Sequence, residues 1–187
     1  MVALHFTTRC LALAALLVAA ALPARSQHLG GHHPSPSPAS PYAGMSAREI
    51  KALSEADIAD LRAGRGMGLA LAAELNGHPG PMHALELADA LALNTDQQAR
   101  LSEMMAIMRA DAIAAGARVI EAEQALDRLF ASSTATPEAV RAATATVAAA
   151  QGELRAIHLV THIGARTVLT PAQLASYGAL RGHRQPG

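Results

Sequence analysis

The sequence has few of the residues that build disulfide-linked, sheet-based or enzymatic proteins. Its 187 residues include one cysteine, two phenylalanines, two tyrosines and no tryptophan. A single cysteine excludes an internal disulfide, and the chain has no recognisable serine–histidine–aspartate pattern or cofactor fingerprint. Scarce aromatic residues disfavour a β-sandwich, whereas abundant alanine favours helices. The composition therefore predicts an all-α protein that is not an enzyme.

The first 26 residues have the pattern of a secretory signal peptide. Arg9 precedes an apolar run over residues 11–22, and Ala24, Arg25 and Ser26 form a typical cleavage site. The run is short for a membrane span, which needs ~20 apolar residues, so an uncleaved anchor is the second interpretation. Export without a disulfide indicates a bacterial periplasm. We therefore expect a periplasmic protein that contacts the membrane only if the signal segment is retained.

The charge balance gives no reason to expect a nucleic-acid partner. The chain has 15 basic and 15 acidic residues, and removal of Arg9 and Arg25 with the signal would leave 13 basic residues against 15 acidic ones. Binding to a phosphate backbone requires a basic surface, and this balance does not imply one.

A low-complexity segment follows the expected cleavage site. Residues 27–44 are rich in Gly, His, Ser and Pro and offer almost nothing to bury, which predicts a disordered tether. Its histidines His28, His32 and His33 have the chemistry to bind a metal loosely, but a solvated tail is the better interpretation. The remaining residues, 45–184, have the size of one domain.

Hydrophobic periodicity predicts an elongated helical hairpin. From Leu101 to Leu129, apolar residues recur at alternating spacings of four and three, which is a heptad-type seam within one helix over 96–131. Thr136 and Pro137 then cap and start a second long helix, whose own apolar stripe reaches Val168. We expect these two helices to pack antiparallel.

Shorter helices are predicted on both sides of the hairpin. They cover about residues 46–53, 54–75 and 81–92 before it and 170–182 after it. The sequence GRGMG at 64–68 lies inside the second of these helices. No strand precedes it and its glycines lack the spacing of a phosphate loop, so a close helix approach or a kink is the better interpretation.

Two helix starts share a local sequence that resembles a family motif. LNTDQ (93–97) and LTPAQ (169–173) each combine a capping residue with a glutamine that can bond back to it; the cap of the first is Asn94 or Thr95. Together with the signal peptide and the hairpin, these boxes resemble the Leu-Thr-x-x-Gln boxes of the periplasmic Spy/CpxP family and its CnrX- and ZraP-like metal-sensing and metal-resistance relatives. The second box matches fully, and the first has Asn in place of Thr.

The resemblance covers about residues 45–183 and implies a small periplasmic helical protein, often a dimer with a curved surface. Some relatives are ATP-independent chaperones or envelope-stress regulators, and others bind divalent metal. Our first hypothesis is therefore a heavy-metal-responsive protein, in sensing or resistance, that takes part in the envelope stress response. The alternative is a protein-refolding chaperone, or holdase, without a specific metal role. The implied partners are a second copy, unfolded clients or a membrane-bound regulator.

Two histidines give the candidate metal site. His158 and His162 are four residues apart, so they share one face of the second long helix. CnrX-like relatives draw metal ligands from such a spacing. By that resemblance we expect both to bind Zn²⁺, Ni²⁺, Co²⁺ or Cu²⁺, with Glu74, His78 and His83 as candidate partners. The alternative is that both histidines are ordinary residues at the border between core and solvent.

Overall fold

The computed structural model describes residues 40–183, and the regular structure in this range is entirely helical. A 3-10 turn at Met45–Ala47 precedes six helices, which are α1 (Glu55–Ala63), α2 (Leu71–Glu74), α3 (Pro81–Glu86), α4 (Thr95–Ala131), α5 (Pro137–Val168) and α6 (Pro171–Leu180). The predicted all-α class is confirmed.

Several sequence predictions fall on residues 1–39. The expected signal peptide, most of the expected tether and the histidines His28, His32 and His33 lie outside the described residues. Within the described range, none of the helices combines the length and apolar character needed to cross a bilayer.

The helices α4 and α5 form the predicted antiparallel hairpin. Asn94, not Thr95, caps α4 and accepts the backbone N–H of Gln97 at 2.9 Å. Thr136 caps α5, as predicted. Where the helices meet, small and branched side chains are buried in one core cluster that includes Ala112, Ala115, Val119, Ala150 and Leu154. The alanines of the seam allow the close packing that the heptad pattern indicated.

The two glutamine boxes meet where α4 begins and α5 ends. Gln97 Nε2 donates to Gln173 Oε1 at 2.8 Å, and Gln173 Nε2 donates back to Gln97 Oε1 at 3.1 Å. Each amide makes a second bond to the backbone, Gln97 to the Val168 carbonyl at 2.9 Å and Gln173 to the Leu91 carbonyl at 3.2 Å. The boxes are therefore helix caps that also join the two ends of the hairpin to α6.

The predicted helix over 46–53 is wrong. The structure has only the 3-10 turn there, because Arg48 takes an extended backbone with φ −63° and ψ 145°. This conformation turns the chain so that Ile50, which is 1% exposed, enters the core cluster of the hairpin. Tertiary burial outweighs the weak local preference for a helix.

The predicted helix over 54–75 is interrupted. Helix α1 ends at Ala63 and is capped by Gly64, whose φ of 64° is left-handed and favours glycine, and α2 begins only at Leu71. A Cβ on Gly64 would lie 2.8 Å from the carbonyl oxygen of Arg109 in α4. The close-approach interpretation of the GRGMG sequence is therefore confirmed at its first glycine. The predicted helix over 81–92 is also shorter, since α3 ends at Glu86.

Gly116 of α4 lies directly against the backbone of α1. A Cβ there would lie 2.5 Å from the carbonyl oxygen of Leu61. We expect Gly116→Ala to lower the free energy of unfolding by about 1–3 kcal/mol in chemical denaturation, because the two backbones would have to separate. Gly152→Ala is the matched control, since Gly152 on α5 is exposed and a Cβ added there would meet no atom within 4 Å. It should stabilise the protein by about 0.5–1 kcal/mol, and similar effects of both changes would contradict this packing.

Glu123 is a buried carboxyl inside the hairpin. It is 8% exposed, and its Oε1 accepts a hydrogen bond from Gln151 Nε2 at 3.3 Å. Burial raises the pKa of Glu123 above its ordinary value. The contribution of this group to stability is therefore fully present below the pKa of the unfolded chain and is lost as the pH rises through the folded-state pKa.

A glutamine at this position removes that pH dependence. We expect Glu123→Gln to gain stability relative to the wild type as the pH rises above 4.5, the ordinary pKa of the group, in denaturation curves recorded across pH. Glu121→Gln, at an exposed position of the same helix, is the control and should follow the wild type. Parallel pH profiles for the two variants would disprove the role of burial at Glu123.

Candidate metal site

The buried carboxylate of Glu74 is the centre of a polar cluster. Glu74 is the last residue of α2 and is 8% exposed, which is rare for a carboxylate. Its Oε2 accepts the backbone N–H of Gly80 at 3.0 Å, and its Oε1 accepts the hydroxyl of Tyr177. The Nε of Arg181 lies 3.8 Å from Oε1. These donors offset the cost of burying the charge.

Two imidazoles lie beside the same carboxylate. His83 of α3 places its Nδ1 3.5 Å from Glu74 Oε1, and His162 of α5 places its Nδ1 3.6 Å from Oε2. The His162 Nδ1 donates to the backbone carbonyl of His78 at 2.8 Å. In the neutral ring, the His162 Nε2 therefore carries the lone pair that a metal would need.

The turn over residues 76–80 brings this cluster onto α5. Gly77 has a left-handed φ of 76°, and its carbonyl accepts a hydrogen bond from Arg166 of α5. A Cβ on Gly80 would lie 2.9 Å from ring atoms of His162, so only glycine leaves room for the imidazole. Pro81 then starts α3, which carries His83.

His158 lies one turn before His162 on α5 and is 2% exposed. Its Nε2 has no hydrogen-bond partner, and the same is true of the His83 Nδ1. Burial lowers the pKa of His158, and the neighbouring His162 lowers it further. Both effects favour the neutral form of the His158 ring. A buried polar atom without a partner costs about 1–3 kcal/mol, and a bound ion is one of the groups that accounts for such an atom.

The structure corrects the predicted position of the two α5 histidines. We expected His158 and His162 near the border between core and solvent, but they are buried, at 2% and 8% exposed. At His162 the physical reason is the turn over 76–80, which contacts His162 and Arg166 on α5. Periodicity along one helix does not show what another segment covers.

The structure brings most of the predicted site residues together. Glu74 contacts His83 at 3.5 Å and His162 at 3.6 Å, and His158 lies one turn before His162 on α5. His78 takes part through its backbone carbonyl, whereas its ring Nδ1 lies 3.1 Å from the carbonyl of Asn76 in its own turn.

Tyr177 and Arg181 are neighbours of Glu74 that the sequence did not lead us to predict. Tyr177 is 1% exposed, and burial together with the hydrogen bond to Glu74 raises the pKa of its hydroxyl well above the ordinary value. A signal was present, because a tyrosine in an apolar helix face normally needs a polar partner for its hydroxyl. Arg181 follows four residues later on the same helical face.

The side chains of this cluster are of the types that bind a divalent transition ion, and one of the distances between them also fits such an ion. Carboxylate oxygen and imidazole nitrogen are ligands of Zn²⁺, Ni²⁺, Co²⁺ and Cu²⁺. Two ligands at ~2.0–2.1 Å from a tetrahedral ion lie roughly 3.3 Å apart, close to the 3.5 Å between His83 Nδ1 and Glu74 Oε1. Within residues 40–183, however, no three His, Cys, Asp or Glu side chains already surround a common point. A third ligand would have to move inward.

Comparisons with known proteins do not indicate what this site binds, so its interpretation depends on its own chemistry. The ring nitrogens of His83 and His158 that lack hydrogen-bond partners are the features that require an explanation. No family model, curated protein or solved structure matches this chain.

Proposed function

We propose that this chain is a periplasmic heavy-metal-responsive protein of the Spy/CpxP-like kind. A divalent transition ion would be held by Glu74, His83 and His158, with His162 as a further donor. One observation carries the proposal. The His83 Nδ1, which has no hydrogen-bond partner, lies 3.5 Å from the buried carboxylate of Glu74, and the His158 Nε2, also without a partner, belongs to the residue one turn before His162, which contacts the same carboxylate. Buried nitrogens without partners are costly, and their lone pairs suit a cation.

An ion at this site would link three separate parts of the chain. Glu74 belongs to α2, His83 to α3 and His158 to α5, so a shared ion would stabilise one arrangement of these helices by mass action. The lowered pKa of His158 favours its neutral ring, which is the form of imidazole that binds a metal. Metal concentration would thereby control the packing of the short helices on the hairpin, which is the requirement for a sensor.

Elemental analysis of protein purified from the periplasm tests this proposal. We expect about one equivalent of a divalent transition metal, both in the full mature chain and in a form without residues 27–41. If the form without residues 27–41 contains no metal, the ligands are His28, His32 and His33. Absence of metal from both forms, after incubation with Zn²⁺, Ni²⁺, Co²⁺ and Cu²⁺ in turn, would disprove the proposal.

A chaperone without a specific metal role is the second candidate function. It is favoured by large apolar side chains that are exposed on α4 and α5, including Ile107 (56%), Val160 (65%) and Ile163 (57%). Exposed apolar surface of this kind binds unfolded clients or a second copy of the chain. Suppressed aggregation of an unfolding client at near-stoichiometric ratio, unchanged by a chelator, would favour this function. No protection at roughly tenfold excess would count against it.

A further inference from the structure

The Glu74 oxygen that lies beside His83 of α3 is also the oxygen that contacts Tyr177 and Arg181 at the end of α6. Glu74 Oε1 lies 3.5 Å from the His83 Nδ1, and the same atom accepts the Tyr177 hydroxyl and lies 3.8 Å from the Arg181 Nε. The other oxygen, Oε2, is bonded within the turn to the N–H of Gly80. An ion that uses His83 as a ligand therefore approaches Oε1.

An ion and α6 would compete for this oxygen. A cation bound to Oε1 makes this oxygen a weaker acceptor for the Tyr177 hydroxyl. It also places a second positive charge near Arg181. Like charges repel more strongly where water is scarce, and Glu74 is 8% exposed while the Arg181 side chain is 33% exposed. The binding of metal and the two contacts of α6 are thus mutually unfavourable.

If the Tyr177 hydroxyl loses its hydrogen bond to Glu74, water cannot replace that bond while α6 stays in place. Its side chain is 1% exposed and packs in a core cluster with Leu91, Leu101 and Val168. The first turn of α6 is held separately, through the cap at Thr170 and the bond between Gln173 and Gln97. If the contact with Glu74 is lost, the second half of α6 would therefore move, while its first turn stays in place.

We infer that metal binding at Glu74 releases the second half of α6, from Tyr177 onward, so that this segment signals the occupancy of the site. The inference rests on the metal site proposed above and adds its readout. A partner that recognises the released segment would respond to metal without touching the ion.

Tyrosine emission gives a direct probe of the release. The chain has two tyrosines and no tryptophan, and Tyr42 is 73% exposed, so Tyr42→Phe leaves Tyr177 as the only tyrosine. A tyrosine hydroxyl that donates to a carboxylate emits weakly. Addition of Zn²⁺ to this variant is expected to raise its emission. Amide hydrogen exchange of the full mature chain should become faster at residues 177–183 and stay unchanged at residues 139–154 of α5.

A second variant tests the competition itself. Tyr177→Phe removes the competing donor and should tighten Zn²⁺ binding by about tenfold, because a hydrogen bond to a charged group contributes at least that factor. Tyr42→Phe, the same substitution at an exposed position, should leave the affinity unchanged. Calorimetric titration measures both.

The outcomes separate this inference from the proposed function. Tighter binding by Tyr177→Phe and faster exchange at 177–183 with Zn²⁺ would support both. Normal Zn²⁺ binding with unchanged exchange, and with equal affinity in Tyr177→Phe, would overturn the release of α6 and leave the metal site intact. No Zn²⁺ binding by the wild type or by Tyr177→Phe would overturn both.

Discussion

Replacing His83 and His158 together by alanine should weaken Zn²⁺ binding by more than about 100-fold. Loss of groups that only support a metal ligand costs 10–100-fold, so loss of two ligands costs at least as much. The two side chains are chosen because their ring nitrogens lack hydrogen-bond partners, and their removal breaks no hydrogen bond at those atoms. Calorimetric titration of the mature chain gives the affinity, and circular dichroism checks that the helices remain.

His78→Ala is the matched control for this experiment. The His78 ring lies close to the carbonyl of Asn76. The His78 group that accepts a hydrogen bond from His162 is its backbone carbonyl, which remains in the alanine variant. We expect wild-type affinity in this variant. Unchanged affinity in the double variant, or an equal loss in His78→Ala, would show that the ion binds elsewhere.

Replacing Gln97 by alanine should lower the free energy of unfolding by about 2–4 kcal/mol. The Gln97 amide donates to Gln173 and Val168, and it accepts from Gln173 and from the backbone N–H of its own cap, Asn94. Because Gln97 is 8% exposed, the partners left behind would lack water to replace it. Chemical denaturation measures the change.

Gln98→Ala provides the comparison for Gln97→Ala. Gln98 is the next residue, is exposed, and makes a single side-chain bond, to the Leu93 carbonyl at 2.9 Å. Its loss should cost less than about 1 kcal/mol. A double-mutant cycle with Gln173→Ala should give a coupling of about 1–2 kcal/mol, since the two amides bond directly. Additive effects would contradict the paired amides.

The long helices could be predicted from the sequence because their signals are local. The prediction of a helix over 96–131 differs by one residue from α4, and α5 begins at Pro137 as its cap indicated. Both depend on a cap and on a period that lie within the helix itself. That the boxes start helices was also predicted, but the pairing of Gln97 with Gln173 was not, because it requires the tertiary arrangement of two helix starts.

The features that could not be predicted depend on contacts between distant segments. The break at Gly64 follows from the approach of Arg109, and the burial of His158 follows from packing that the α5 sequence does not contain. For the candidate site, the family resemblance led us to Glu74 and His83 as candidate partners, and the structure places these two residues side by side. Tyr177 remained unnoticed because its partner lies more than a hundred residues away, as the separation of 103 shows.

Anomalous diffraction from crystals of the mature chain grown with Zn²⁺ would test the metal site most directly. We expect a zinc peak ~2.0–2.2 Å from Glu74 Oε1 and from His83 Nδ1, with His158 or His162 completing the ligands. A peak only at histidines outside this cluster, or an intact bond between Tyr177 and Glu74 with no zinc nearby, would contradict the proposed site.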